Sequence, residues 1–216
     1  MKTIAAPEQR VVLQNVSWET YERLLAESVE SVGTRFTYDE GALEIMVLSI
    51  AHEDPNRTLA YLVEVVAAAT ERDLRRAGST TFKRKDLAKG FEPDSCFYID
   101  HVEQVRGKEE LDLLTDPPPD LVIEVDITRS SLSRFPIFAA LGVPEVWRFD
   151  GDRVTMHRLE SGCYAQIEAS LALPPLTASQ STVFLDESRY EKSTVWLKRV
   201  QEWVRRAMLT PGGQPR

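Results

Sequence analysis

The sequence predicts a mixed α/β domain whose central strands are covered by helices on both faces, and three stretches carry that prediction. "LVIEVDI" (121–127) is apolar on both faces apart from its acids, as a strand must be when helices lie over each side of it. Residues 55–78 place Leu59, Leu62, Val63, Val66 and Leu74 at helical spacing, between Pro55, which suits a first turn, and Gly78, which supplies a stop. "RFTYD" and "ALEIMVLS" flank Glu40 and Gly41, a pair suited to a tight hairpin turn.

The other elements follow in order. Ser17 caps a first helix through Trp18, Tyr21, Leu24 and Leu25, with Glu19 in the first turn, where the helix dipole favours an anion. After the long helix, "TTFKRK" and "SCFYI" read as strands, the second beginning just after Asp94. "VEQVRGKEELDLL" reads as a charged helix, and the prolines of "TDPPPD" end it and launch the central strand. Residues 130–141 read as a short helix around Pro136, closed by Gly142. "EVWRFD" and "RVTMHRL" are strands joined at Gly151 and Asp152. "SRYEKSTVWLKRVQEWVRRAML" is read as one last helix with Val195, Trp196, Val200, Trp203 and Val204 along one face, packed on the sheet or across a dimer interface. The central order is therefore helix, strand, strand, strand, helix, strand. One domain over 1–208, with its core at about 55–158 and a flexible tail at 209–216, is expected for a chain of this length.

Composition narrows the function classes. A formal net charge of -8 argues against a polybasic, histone-like binder, although it leaves room for a local basic groove. Cys96 and Cys163 are too few for a disulfide framework and lack the close partners of a zinc site, which fits a reducing cytoplasm. "YLVEVVAAAT" is interrupted by Glu64 and too short to span a bilayer, so no membrane partner is expected.

Two carboxylates break the apolar logic of the strands. Asp94 stands at the start of "SCFYI", and Glu124 is flanked by Val122, Ile123, Val125 and Ile127. An ionised carboxylate in a low-dielectric setting is costly unless it is paired or binds a cation. Two acids on neighbouring strands therefore point to a divalent cation site, Mg2+ or Mn2+, with the Val125 carbonyl as a third ligand. Thirty residues separate them, which is compatible with adjacent strands. Against this, Pro93-Asp94 also suits an ordinary turn, and Arg134 is placed to neutralise Glu124 as a structural ion pair. His101 and His157 read as exposed polar positions.

This order of elements, with "EPD" at the second strand and Glu124 in the third, is similar to the PD-(D/E)xK nuclease superfamily. More closely, "LEIMVLSIAHE", "KGFEPDSCFYI", "PPPDLVIEVDIT" and "FPIFAALGVPEVWRFD" resemble the Uma-two (Uma2) family of restriction-type endonucleases, from about Trp18 to Arg158. The resemblance implies a restriction-endonuclease-like core with N-terminal strand additions and a C-terminal helix. It implies a metal-dependent endonuclease acting on DNA, with Asp94 and Glu124 as metal ligands and with His52 and Glu53, at the mouth of the long helix, as further metal-site residues. Where the superfamily has lysine two residues after the second acid, this sequence has Asp126. In this family the replacement aligns with Arg134, which can hold a phosphate but cannot act as a general base. Water activation then falls to the metal or to Asp126, with Lys83 and Lys85 as alternative sources of the ammonium group.

Lys83, Arg84, Lys85 and Lys89 form a basic strip suited to phosphate contacts, although such clusters are often just solvated surface. Two other functions stay open: an inactive nucleic-acid-binding or interaction module that keeps the fold, and an oligomeric scaffold whose acids pair with arginines. A symmetric homodimer is the default expectation for a cutter of duplex DNA.

Overall fold

The computed structural model describes residues 9–28, 33–127 and 132–209. The first elements build a small antiparallel sheet. β1 (Gln9–Leu13) is followed by α1 (Trp18–Glu27), β2 (Thr34–Asp39) and β3 (Ala42–Val47). Ser17 caps α1 by accepting a hydrogen bond from the Thr20 amide, as its sequence predicts. The β2–β3 turn sets Glu40 at φ 48° and Gly41 at φ 97°, the left-handed pair that a two-residue hairpin turn requires. β1, which the sequence pattern did not reveal, pairs along β3 as an edge strand from Gln9 opposite Val47 to Leu13 opposite Leu43.

α2 (Ile50–Ala69) begins earlier and ends earlier than its apolar spacing predicts. Its start at Ile50 leaves Pro55 inside the helix instead of in its first turn. Thr70 closes it, Glu71 then adopts φ 56°, and the chain leaves the helical path eight residues before Gly78. Leu74 still reaches the core, but from the chain beyond the helix.

β4 (Arg75–Arg76) is only two residues long and pairs with β7, so it takes the place in the main sheet expected for "TTFKRK". That segment instead gives β5 (Phe82–Arg84), which with β6 (Lys89–Phe91) extends the small sheet in the order β1-β3-β2-β6-β5. Gly90 of β6 lies under Tyr21 of α1, and a Cβ there would sit 3.1 Å from ring atoms of a fully buried tyrosine. Gly90→Ala is therefore expected to cost about 1–3 kcal/mol through overpacking, read as a lowered midpoint in chemical denaturation.

The main sheet runs β11-β10-β9-β8-β7-β4. β7 (Ser95–Tyr98) leads through the four-residue α3 (Val102–Val105) to β8 (Leu121–Val125), α4 (Phe135–Ala140) and β9 (Glu145–Phe149). The charged stretch after Val105 is thus not a longer helix, and Gly107 at φ 73° turns the chain away. α4 starts at Phe135 with Pro136 in its first turn, while the expected start at 130 falls outside the described residues. β7 and β8 are antiparallel; β8 and β9 are parallel, with α4 in the crossover. β8 is buried on both faces: Leu121, Ile123 and Val125 face the core built with α2, and Val122 the one built with Ile137 and Phe138 of α4.

β10 (Val154–Glu160) and β11 (Cys163–Ile167) complete the sheet as a meander. The last apolar stripe lies on one helix, α6 (Ser193–Leu209), as expected, although the helix starts at Ser193 and not at Ser188; a further helix, α5 (Ala178–Ser188), which the sequence pattern did not reveal, precedes it. Thr177 caps α5, and the Trp196 indole of α6 donates to the Phe184 carbonyl of α5, which fixes the pair over the sheet. Leu209 ends α6; the rest of the expected tail lies outside the described residues. Among the described residues no helix is long and apolar enough to cross a membrane.

Candidate nuclease site

Sheet register brings the two acids together. The antiparallel pairing that sets Ser95 opposite Ile123, continued by one residue, sets Asp94 opposite Glu124. The Val125 amide donates to Asp94 Oδ2 at 2.8 Å, which draws the carboxylate across to β8. The Pro93-Asp94 bend exists, but it turns the carboxylate inward, where Asp94 is buried.

α2 holds that bend from behind. His52 and Asn56, four residues apart, face the same side and are both buried. His52 Nε2 lies 3.0 Å from Asp94 Oδ2, and Asn56 donates to the Asp94 carbonyl while accepting from the Ser95 hydroxyl at 2.8 Å. His52 thus orients Asp94. Glu53 accepts from Arg57 at 2.6 Å through one oxygen, and its Oε2 is buried with no hydrogen-bond partner among the described residues.

Glu124 opens a row of alternating charges that joins the two sheets. Arg134, the N-cap residue of α4, pairs with Glu124 Oε2 and reaches Glu44 of β3 at 3.2 Å. Arg10 of β1 lies 3.3 Å from Glu44 and 3.6 Å from Asp126. Arg148 of β9, level with Glu124 in the parallel register, donates to Asp126 Oδ2 at 2.7 Å. The expected role of Asp126 as a base is therefore corrected: its two oxygens face two guanidinium groups, and it anchors them.

Within the acid pair, Asp94 Oδ1 and Glu124 Oε1 are each buried with no hydrogen-bond partner among the described residues. Burial pushes the Glu124 carboxyl up to about 7; Arg134 pulls against that shift and the Asp94 charge adds to it. Burial opposes the charge of Arg134, yet Glu124, Asp94 and Glu44 together hold its pKa above the ordinary arginine value.

The raised Glu124 value fixes a pH dependence. A carboxyl whose folded pKa exceeds its unfolded 4.5 contributes stability that is complete below 4.5 and is lost as pH rises through about 7. Between pH 4.5 and 7 the wild type is expected to lose up to about 3 kcal/mol that a Glu124→Gln variant does not lose. Denaturation midpoints of the two proteins across that range read the difference.

The basic strip is neutralised by its neighbours. Lys83 pairs with Glu22 at 3.0 Å, Arg84 with Asp86 at 2.6 Å, and Lys89 with Asp39 and Glu40. Lys85, two-thirds exposed, is 3.4 Å from Glu19, and no contact joins it to Asp94 or Glu124. The expectation that Lys83 or Lys85 supplies the missing ammonium is corrected on that ground. The cations at the acid pair are instead Arg10, Arg134 and Arg148. Arg148 and Arg10 escaped the sequence reading, as did Glu44 and Asn56. Arg148 did leave a signal, as the charged residue inside "EVWRFD". His101 is held by the buried Asp120 at 2.5 Å, and His157 is half-buried against Phe135, with its pKa lowered by burial and by Arg148.

A core of helix, three strands, helix and strand (α2, β4, β7, β8, α4, β9), with one buried acid entering the second strand and another inside the third, defines a restriction-endonuclease-like fold. The family model described as "Uma2: Putative restriction endonuclease" matches residues 18–186, and the chain belongs to that family. Among solved structures it is similar to "a putative nuclease belonging to DUF820" from Anabaena variabilis ATCC 29413, at 15% identity and a TM-score of 0.43, over 78% of this chain and 90% of that one. A comparison with curated proteins finds no match.

Proposed function

We propose that this chain is a metal-dependent endonuclease that hydrolyses phosphodiester bonds of DNA, with Mg2+ or Mn2+ held between Asp94 and Glu124. One observation carries the reading: two buried acids face each other across adjoining strands, each with an oxygen left without a partner. Family membership supports a nuclease.

The donor set fits the ion. Among the described residues no three His, Cys, Asp or Glu side chains close into a ready metal cluster. Mg2+ suits such a site because it is commonly bound by one or two carboxylates, with waters and substrate phosphate completing its shell. A divalent cation there would lower the pKa of a bound water and offset charge on the phosphate under attack.

The protein's own residues do the positioning. The Val125 amide and His52 fix the Asp94 carboxylate, and Arg134 fixes Glu124. Arg148, whose guanidinium is forked and always charged, offers the phosphate a planar donor set at the open end of the charge row. Supercoiled plasmid incubated with Mn2+ tests the activity; nicking is expected, and its absence with Mg2+, Mn2+ and either DNA or RNA would remove the proposal.

A second reading is favoured by the Arg134–Glu124 pair, which already supplies a counter-charge to one acid. In that case the chain is an inactive nucleic-acid-binding module, and salt-sensitive DNA binding without cleavage identifies it.

A further inference from the structure

Next to the acid pair lies a cavity of about 390 Å3. Arg10, Arg134 and Arg148 supply cations to one part of its wall, with Glu124 and Asp126 set between them. Leu132, Phe135 and Phe138 form the apolar part. Two atoms of lining side chains have no hydrogen-bond partner among the described residues: the Arg134 Nε–H and Glu124 Oε1. Both side chains are more than nine-tenths buried, at 9% and 6% exposure. Both atoms have almost no accessible surface, so the donor that an occupant of the cavity can reach is the Arg148 guanidinium, 39% exposed.

We infer that this cavity seats a single nucleotide next to the cleaved bond, its phosphate on Arg148 and its base against Phe135. The choice of ligand rests on the nuclease reading. The volume lies near the small end of the range for ligand sites, which suits one nucleotide and not two. Phosphate oxygens supply the acceptors that a guanidinium fork demands. Phe135 is a firm platform: its ring is packed edge-on to His157, with centroids 4.8 Å apart, and tilted against Tyr164 at 5.1 Å. A base resting on that ring cannot at the same time be stacked in a duplex, so the substrate at this position is single-stranded or locally opened DNA. Asp126 is a positioning residue here, since it holds Arg148 and Arg10 toward the cavity.

Calorimetric titration of the full chain in EDTA tests the seat with three probes: deoxyadenosine 5′-monophosphate, deoxyadenosine and inorganic phosphate. The monophosphate is expected to bind at least about tenfold more tightly than either part alone. Arg148→Ala should weaken the monophosphate about tenfold and leave deoxyadenosine unchanged, and Phe135→Ala should weaken both. Arg148→Lys, which keeps the charge and loses the fork, should fall between; unchanged circular-dichroism melts show that each variant folds. Monophosphate and inorganic phosphate binding alike would overturn the inference, as would undiminished binding by both arginine variants or no binding at millimolar concentration. A closed duplex that displaces the monophosphate as well as a single-stranded oligonucleotide does would also overturn it. Monophosphate binding without any Mn2+-supported cleavage removes the nuclease reading and leaves the seat in place; cleavage without monophosphate binding does the reverse.

Discussion

Asp94→Asn is expected to lower Mn2+-supported cleavage by about a thousand-fold, the scale on which one electrostatic anchor of a transition state is lost. The substitution keeps the shape and still accepts from the Val125 amide, so the fold is expected to survive it. What disappears is one of the two carboxylate charges of the proposed ion site. A second readout needs no turnover. Because the Asp94 charge helps to raise the Glu124 pKa, removing it should move the Glu124 titration to lower pH. Plasmid nicking rates and a pH series of denaturation midpoints on the same variant check both; cleavage at the wild-type rate would mean that the ion is held elsewhere.

Arg134→Ala is expected to destabilise the protein by about 3–5 kcal/mol, since it leaves carboxylates in the interior without their cation. Arg134 serves both Glu124 and Glu44, and Glu44 is fully buried. The loss should shrink at low pH, where Glu124 takes up a proton and no longer needs a counter-charge. It should also shrink in a Glu124→Gln background, and the double-mutant cycle isolates that pairwise part. Chemical denaturation at pH 5 and pH 8 provides the numbers. An equal cost at both values would show that the Glu124 charge is not what Arg134 answers.

Local signals were legible in the sequence because short-range chemistry sets them. Ser17 capped its helix, Glu40 and Gly41 made the hairpin turn, and the two-sided apolar run of 121–125 became a strand covered on both faces. Pairing partners were not legible. A two-residue strand such as Arg75–Arg76 carries no period, so the more strand-like "TTFKRK" was placed in its position although it belongs to the other sheet. The Leu74 spacing continued a helical pattern that Glu71 had already broken by adopting a left-handed conformation. Within the site, the acids stood out because a carboxylate among valines and isoleucines needs a reason. Their thirty-residue separation allowed them to meet, and only the register made them do so. The partners of Lys83, Lys85 and Lys89 come from α1 and the β2–β3 hairpin, remote in sequence, so a strip that looks basic in one dimension is balanced in three.

The crossing of Asp94 and Glu124 depends on the phase of two strands. Side chains alternate between faces, so one residue inserted or deleted within Ser95–Phe97 or Leu121–Ile123 that shifted the pairing by a single step would turn one acid toward the opposite side. Length variation in this chain should therefore gather in the connections outside the β7–β8 ladder, and grafts into the scaffold should leave that ladder's length untouched.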